Sequence, residues 1–377
     1  MKNVPELRFA GFDGEWESSR LSDISTINPK SGKLPEIFKY VDLASVTGTN
    51  LTNYTILMKE DAPSRAQRLS EKGDIFYQTV RPYQRNNYLF DLDDDDYVFS
   101  TGYAQIRTNQ KPSFIFAIMQ TNKFVDTVMN RTTGTSFPAI STTDLSDIDI
   151  KITPNKEEQA KIGELLKKID TLIEKQEDKV AKMEDFKNSM LQKMFPKKGE
   201  LVPEFRFKGF DGEWKEVLVS ELLDYEQPTK YIVSSEDYIE DGTPVLTANK
   251  SFLLGYTDEK NIYNKGEVIL IDDFTLDNKY VDFPFMVKSS ALKILTEKNS
   301  DLFFVYNLLN KIDFINEGHK RHYISIVQNT KVSVPSIEEQ QRIGNFFKNL
   351  DAQIETEKRL LDSYKMMKKS LLQKMFV

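Results

Sequence analysis

Between residues 157 and 194 the apolar positions run Ile162, Leu165/Leu166, Ile169, Leu172/Ile173, Val180, Met183, Phe186, Met190 and Met194, in steps mostly of three and four. Gln176 fills the one vacant position, no proline interrupts the stretch, and its only glycine is Gly163. That period predicts one long amphipathic helix with a heptad-like seam. A second stretch repeats it with Ile343, Phe346/Phe347, Leu350, Ile354, Leu360/Leu361, Tyr364, Met367, Leu371 and Met375. Each stretch follows a proline and carries Glu-Glu in its first turn, where carboxylates suit the helix dipole. The first ends at the breaker cluster FPKKG, residues 195–199. A helix of roughly 38 residues is about 57 Å long at ~1.5 Å per residue. Such a helix needs a partner for its apolar face, and the obvious one is its own copy. An antiparallel pair would set Ile162, Leu166, Ile169, Ile173, Val180 and Met183 of the first against Ile343, Phe347, Leu350, Ile354, Leu361 and Tyr364 of the second. Pairing with another protein, or an intermolecular coiled coil, satisfies the same pattern.

Outside these stretches the pattern shortens. Residues 17–153 hold β-prone runs at 39–46, 74–80 and 103–108 and one helical stretch near 114–129. Residues 215–334 follow the same plan, with runs at 245–249, 267–272 and 291–296 and an apolar helix near 302–315. Each reads as an α+β body.

The chain repeats itself. PELRFAGFDGEW at 5–16 returns as PEFRFKGFDGEW at 203–214, identical at 10 of 12 positions. Residues 154–195, from PNKEEQ to SMLQKMF, return as 335–376, identical at 17 of 42. The bodies between these frames are 137 and 120 residues long and share only echoes, such as Lys72-Gly73-Asp74-Ile75 against Lys265-Gly266-Glu267-Val268. Drift after duplication would erode frame and body alike, so an intact frame around divergent bodies points to one scaffold carrying two different surfaces. The expected fold class is α+β: two globular α+β domains separated by two long antiparallel coiled-coil helices, with an internal pseudo-two-fold repeat. The expected divisions are residues 1–153 with frame 5–16, helix 154–195, residues 196–334 with frame 203–214, and helix 335–377.

Composition narrows the function. With no cysteine in the chain, thiolate nucleophiles, disulfides, zinc ribbons and iron–sulfur clusters are excluded. Two histidines three residues apart leave little room for a Ser-His-Asp triad or a multi-histidine metal site. No Walker A motif or Gly-rich strand-to-helix loop offers a nucleotide or S-adenosylmethionine site. The longest clean apolar run, residues 114–119, falls far short of the ~20 needed to span a bilayer, and the N-terminus lacks a signal-peptide core, so the expectation is a cytoplasmic chain without a membrane partner. The net charge of −7 excludes nucleic-acid binding by bulk charge; any such binding must use local patches or a more basic partner.

One patch stands out. Residues 63–88 carry Arg65, Arg68, Lys72, Arg81 and Arg85 against Glu71 and Asp74, with Tyr77, Tyr83, Tyr88, Gln84, Asn86 and Asn87 interleaved. Arginine pairs bidentately with guanine, asparagine and glutamine pair with adenine, and tyrosine reaches phosphates. The same composition also suits an ordinary solvated loop. The candidates in body one are Arg65, Arg68, Arg81, Tyr83, Arg85, Asn86 and Asn87, with Arg81, Arg85, Asn86 and Asn87 foremost. In body two they are Asn249, Lys250, Lys279, His319, Lys320, Arg321 and His322, with Lys320 and Arg321 foremost; a solvated loop is the competing reading there. Asp91 and Asp93–Asp96 lack the spacing and glycine of a calcium loop and read as a solvated turn. Asp272 and Asp273 with Lys279 only faintly suggest a nuclease set. No catalytic or metal-binding residue is assigned.

The GFDGEW frame, the Lys-Gly-Asp-Ile strand, Gly134-Thr-Ser-Phe-Pro-Ala-Ile-Ser141 before the helix, the doubled Pro-x-x-Glu-Glu-Gln helix start and the terminal Leu-Gln-Lys-Met-Phe together resemble the specificity subunit of type I restriction–modification systems. The resemblance covers the whole chain in family order. It implies a non-catalytic subunit of a bacterial defence complex whose two target-recognition domains each read half of a split site on double-stranded DNA. It implies that the paired helices set the spacer and dock two modification subunits, which bind S-adenosylmethionine and methylate adenine, and that restriction subunits add ATP- and Mg-dependent cleavage. No cofactor is expected in this chain. The alternative is a coiled-coil scaffold for protein partners that never touches DNA.

Overall fold

A computed structural model describes residues 3–248, 251–312, 314 and 322–377. The chain forms two compact units: Met1–Lys179 together with Lys358–Val377, and Val180–Glu357. The division cuts both long helices, so each unit holds one α+β body and a portion of each helix.

The long helices are Lys156–Lys193 and Ile337–Lys374, 38 residues each, as their apolar period predicts. Within the first unit they run antiparallel: Asp170 pairs with Lys368 at 2.5 Å and Glu177 with Lys365 at 2.7 Å. Within the second, Lys187 pairs with Asp351 at 2.5 Å, and the rings of Phe186 and Phe346 meet edge-on at 6.4 Å. The seam is graded. Ile169, Gln176 and Val180 of the first helix and Leu350 and Ile354 of the second are buried, while Ile173, Met183, Leu361 and Tyr364 are only half-buried. Ile162 and Leu166 do more than line a seam, because they lie in the main core of the first body together with Met375. Ile343 and Phe347 do the same in the second body.

The two bodies share one plan. In the first, a sheet runs in the order Ser25–Ile27, Tyr103–Thr108, Ile75–Gln78, Tyr88–Leu89; in the second, Leu223–Glu226, Leu292–Glu297, Val268–Asp272, Asn278–Val281. Both sheets are antiparallel throughout. The central strands Ile75–Gln78 and Val268–Asp272 are buried at every position, which explains why each is apolar or aromatic up to its last residue, a buried Gln78 or Asp272. A second sheet in each body contains a parallel pair, Ile37–Val41 with Tyr97–Ser100 and Thr243–Leu246 with Met286–Val287. A two-stranded ribbon closes each body, Glu17–Arg20 on Asp149–Ile152 and Lys215–Leu218 on Lys331–Val334. The helical stretch expected near 114–129 is two helices, Pro112–Gln120 and Asn122–Met129. Thr121 breaks them because its backbone is extended and its hydroxyl caps the second by accepting from Phe124 N. The helix expected near 302–315 is Leu302–Asn310.

The repeated frame has a physical reason. Arg8 donates from Nε and Nη2 to both carboxylate oxygens of Glu158 at 2.6 and 2.8 Å, and Arg206 does the same to Glu339 at 2.7 and 2.7 Å. Glu158 and Glu339 are buried, although dipole compensation alone would have left them at the surface. The following glutamine ties the long helix to the body. Gln159 Oε1 accepts from Lys111 N at 3.1 Å, and Gln340 Oε1 accepts from Asp301 N at 3.2 Å, each at the start of a body helix. Gly163 and Gly344 let the helices come that close: a Cβ would sit 2.9 Å from Phe114 N in one and 3.2 Å from Phe304 N in the other. Trp16 packs on Phe114 and Phe376, and Trp214 on Phe304 and Phe195. Each frame tryptophan is thus covered by the Leu-Gln-Lys-Met-Phe end of the long helix from the opposite copy. Backbone bonds Leu7 N to Lys374 O and Phe205 N to Lys193 O, both 2.8 Å, fix the same meeting.

Candidate DNA interface

In body one the buried strand Ile75–Gln78 delivers the chain into the turn at residues 79–87. Arg81 and Arg85 both take left-handed backbone, φ 55° and 57°, on either side of a single 3-10 turn. Non-glycine residues are rarely held there, and such strain clusters at functional sites. Hydrogen bonds hold the turn down. Asn87 Oδ1 accepts from Gln78 N at 2.8 Å, Asn87 N donates to Gly48 O at 2.9 Å, and Asn86 Oδ1 accepts from Gly48 N at 2.9 Å. Arg85 donates to Gln120 O at 3.2 Å and Asn122 Oδ1 at 2.8 Å. Arg81 N donates to Pro138 O at 2.7 Å, and its guanidinium lies 4.3 Å above the Phe137 ring.

An open cleft of about 820 Å³ lies against this turn. It brings Arg65, Arg81 and Asn86 together with Thr47, Gln78, Gln84, Thr101 and Phe137. The other sequence candidates stand differently. Asn87 is buried and committed to the body. Arg85 is tied to the two body helices. Arg68 is half-buried on the strand Ala66–Leu69, and burial lowers the affinity of its guanidinium for its proton. Tyr83 is exposed beside the cleft lining without being part of it. Part of the local charge is neutralised, because Lys72 pairs with Asp93 at 2.6 Å. The acidic run forms an exposed turn laced by Lys39, which reaches Asp94 at 2.9 Å and Asp96 at 3.2 Å.

Sequence reasoning missed Gln78 and Phe137 and passed over Gln84. Gln84 was visible within the basic stripe. Phe137 was visible only as an aromatic flanked by Gly134 and Pro138, and nothing local said that an antiparallel bridge, Val80 to Ala139, would lay it beside Arg81.

In body two, Lys279 is exposed on the wall of a cleft of about 1400 Å³ that also includes Asp272, Asn278, Lys288 and Asn310. His322 is buried, its backbone N donating to Asp273 O at 2.8 Å. Asn249, Lys250, His319, Lys320 and Arg321 lie outside the described residues. Asp272 and Asp273 are spent on structure. Asp272 accepts from Phe274 N at 2.9 Å and Thr275 Oγ1 at 2.9 Å, and Asp273 pairs with buried Lys293 at 3.1 Å and accepts from Tyr323 N at 2.9 Å. Among the described residues no group of three or more histidines or carboxylates is placed to hold a metal ion, and no helix is long and apolar enough to cross a membrane.

The sequence model of the type I restriction modification DNA specificity domain matches this chain twice, at residues 13–183 and 211–364. The chain belongs to this family. Each specificity-domain match takes in one body and most of the long helix that follows it. Among curated proteins, the chain is 45% identical over 136 residues to the type I restriction enzyme EcoR124I/EcoR124II specificity subunit of Escherichia coli, covering 34% of this chain and 33% of that protein. It is 29% identical over 170 residues to the HindI specificity subunit of Haemophilus influenzae, covering 42% and 36%. The matched stretches therefore span about a third of the length of these relatives. Among solved structures, the type I restriction–modification S subunit of M. genitalium aligns over 99% of both chains with a TM-score of 0.72 at 18% identity. A chain from a study of assembly and conformational transition of a type I R-M system aligns over 96% of this chain and 97% of its own, at a TM-score of 0.52 and 20% identity. The specificity-domain fold thus holds along the whole chain, while sequence likeness to curated specificity subunits is confined to parts of it.

Proposed function

We propose that this chain is the DNA specificity subunit of a type I restriction–modification complex. Each body reads one half of a bipartite site on double-stranded DNA, and the paired helices set the spacer and dock two modification subunits. The observation that carries this reading is the doubled specificity domain in which frame, glycine contacts and ion-pair locks repeat while the bodies' turns diverge. A scaffold kept constant around variable turns is what two independent readings of one duplex require. Exposed apolar side chains on the long helices, Leu172, Leu360, Met366 and Met367, support their use as docking faces.

The chain carries out no reaction of its own. S-adenosylmethionine, ATP and Mg belong to partner subunits, the modification subunits methylate adenine, restriction subunits complete the nuclease, and the complex works in the cytoplasm. The test is to map methylated adenines in host DNA with and without this chain. A split motif that disappears on deletion, and changes in one half only when residues 215–334 are replaced by a relative's body, is the expected result. A methylation pattern untouched by deletion refutes the reading. Native mass measurement at saturating modification subunit should give two per chain; a stable one-to-one complex removes the stoichiometry while leaving the DNA reading in place.

A further inference from the structure

The connection at residues 79–87 is where the bodies part company. Strands Ile75–Gln78 and Tyr88–Leu89 hold the same sheet positions as Val268–Asp272 and Asn278–Val281, yet nine residues join the first pair and five, 273–277, join the second. Within the longer turn the side chains divide by what they have left to offer. Arg85, Asn86 and Asn87 are engaged with the body, as described above. The Arg81 guanidinium and the Gln84 amide nitrogen are not. Among the described residues no carboxylate pairs with Arg81, and its Nε is a buried atom without a hydrogen-bond partner. The Phe137 ring, itself exposed, supports the guanidinium without consuming any of its donors. Gln78 donates one Nε2 hydrogen to Val80 O at 2.7 Å and the other to Gln84 Oε1 at 2.9 Å. That relay fixes the Gln84 amide and leaves it two N–H donors and a carbonyl lone pair.

These two groups match two base edges. A guanidinium fork matches the O6 and N7 acceptors of guanine, and a carboxamide matches the N6 donor and N7 acceptor of adenine. We propose that the turn at residues 81–84 reads two purines in the major groove of body one's half-site, Arg81 a guanine and Gln84 an adenine. Phe137 and Gln78 are positioning residues that hold those two side chains. The inference rests on the reading that body one binds DNA, and it adds which residues discriminate and which bases they select.

The experiment selects duplexes from a library randomised through the half-site, using the full chain co-expressed with the modification subunit of its own host, at one fixed salt concentration. The wild type should select guanine at one position and adenine at another. Arg81→Ala should lower the guanine preference about tenfold or more, with the other positions unchanged. Arg81→Lys should lose the same preference but keep most of the overall affinity, because an ammonium is a point charge without the fork. Gln84→Ala should relax the adenine position alone. Phe137→Leu should relax the Arg81 position at an unchanged melting temperature, a result that a purely structural role would not produce. Arg85→Ala should lower the melting temperature and leave the selected sequence intact. If correctly folded Arg81→Ala and Gln84→Ala chains still select the wild-type half-site, the assignment is wrong while DNA reading stands. If Arg81→Ala weakens all duplexes alike and reduces the salt dependence by about one counterion, Arg81 contacts phosphate and the assignment is equally overturned. A wild-type complex that retains no duplex at low salt removes the DNA reading itself.

Discussion

The second glutamate of each Pro-x-x-Glu-Glu-Gln start should behave quite unlike the first. Glu339 is 1% exposed and takes both bonds of the Arg206 fork at 2.7 Å, while Arg206 also donates from Nη1 to Gly212 O at 2.5 Å. Glu339→Gln keeps the shape but leaves an N–H₂ facing the guanidinium, so one bond is lost and a largely buried positive charge loses its hydrogen-bonded counter-charge, keeping only the weaker field of Asp211. Breaking one side of a buried pair costs about 3–5 kcal/mol, a large share of the ~5–15 kcal/mol that holds a domain folded. Glu338, exposed in the same turn, is the control. The chain carries its own reporters, since its two tryptophans fall one in each unit: Trp16 in the first and Trp214 in the second. In a Trp16→Phe background, urea unfolding followed by Trp214 fluorescence reads the second unit. With an m-value near ~2 kcal/mol/M, a loss of ~4 kcal/mol lowers the midpoint by about 2 M. Trp214→Phe chains carrying Glu339→Gln should show an unmoved Trp16 transition, because Arg8–Glu158 locks the first unit separately. If Glu339→Gln shifts the Trp214 midpoint no more than Glu338→Gln does, the frame is not held by this pair and its repetition needs another explanation.

Other outcomes follow from the same contacts. Gly344→Ala would raise intrinsic helix propensity by about 1 kcal/mol, but the new Cβ meets Asp301 Cγ at 2.9 Å, so thermal unfolding of the second unit should come at lower temperature; a more stable variant would show that the helix can draw back. Phe376→Ala, which uncovers Trp16 and Phe114, should destabilise the first unit by about 3 kcal/mol, the low end for a phenylalanine because the ring is only half-buried, in urea titrations read through Trp16, and leave the Trp214 signal alone. Four residues inserted near Gln176, matched by four near Glu357, add about 6 Å to each helix at ~1.5 Å per residue. At ~3.4 Å per base pair, methylome sequencing should find the spacer one to two base pairs longer with both half-sites unchanged; a soluble, methylation-competent variant with the original spacer would show that the helices are not the ruler.

The long helices were legible because their evidence is local. An apolar period close to 3.6 with no breaker defines a helix wherever it packs, and the observed helices, Lys156–Lys193 and Ile337–Lys374, lie inside the expected 154–195 and 335–377, two to three residues short at each end. The α+β character of the bodies was equally plain, since strands buried on both faces are mostly apolar along their length. The repeat announced two copies of one scaffold. What sequence could not say is which contacts made the frame worth keeping. That Arg8 lies beside Glu158, or that Phe376 covers Trp16, depends on residues 150 and 360 positions apart meeting through the fold. The seam was likewise only half legible: Ile162 and Ile343 obey the heptad pattern, yet their burial comes from a body core, because periodicity reports which face is apolar and not what covers it. The candidate interface shows the limit most sharply. Arg81 and Arg85 are indistinguishable as letters four apart in a basic stripe. Only the tertiary structure spends one guanidinium on Gln120 and Asn122 and leaves the other over an aromatic ring with no carboxylate partner among the described residues, because hydrogen-bond satisfaction belongs to neighbours in space, not in sequence.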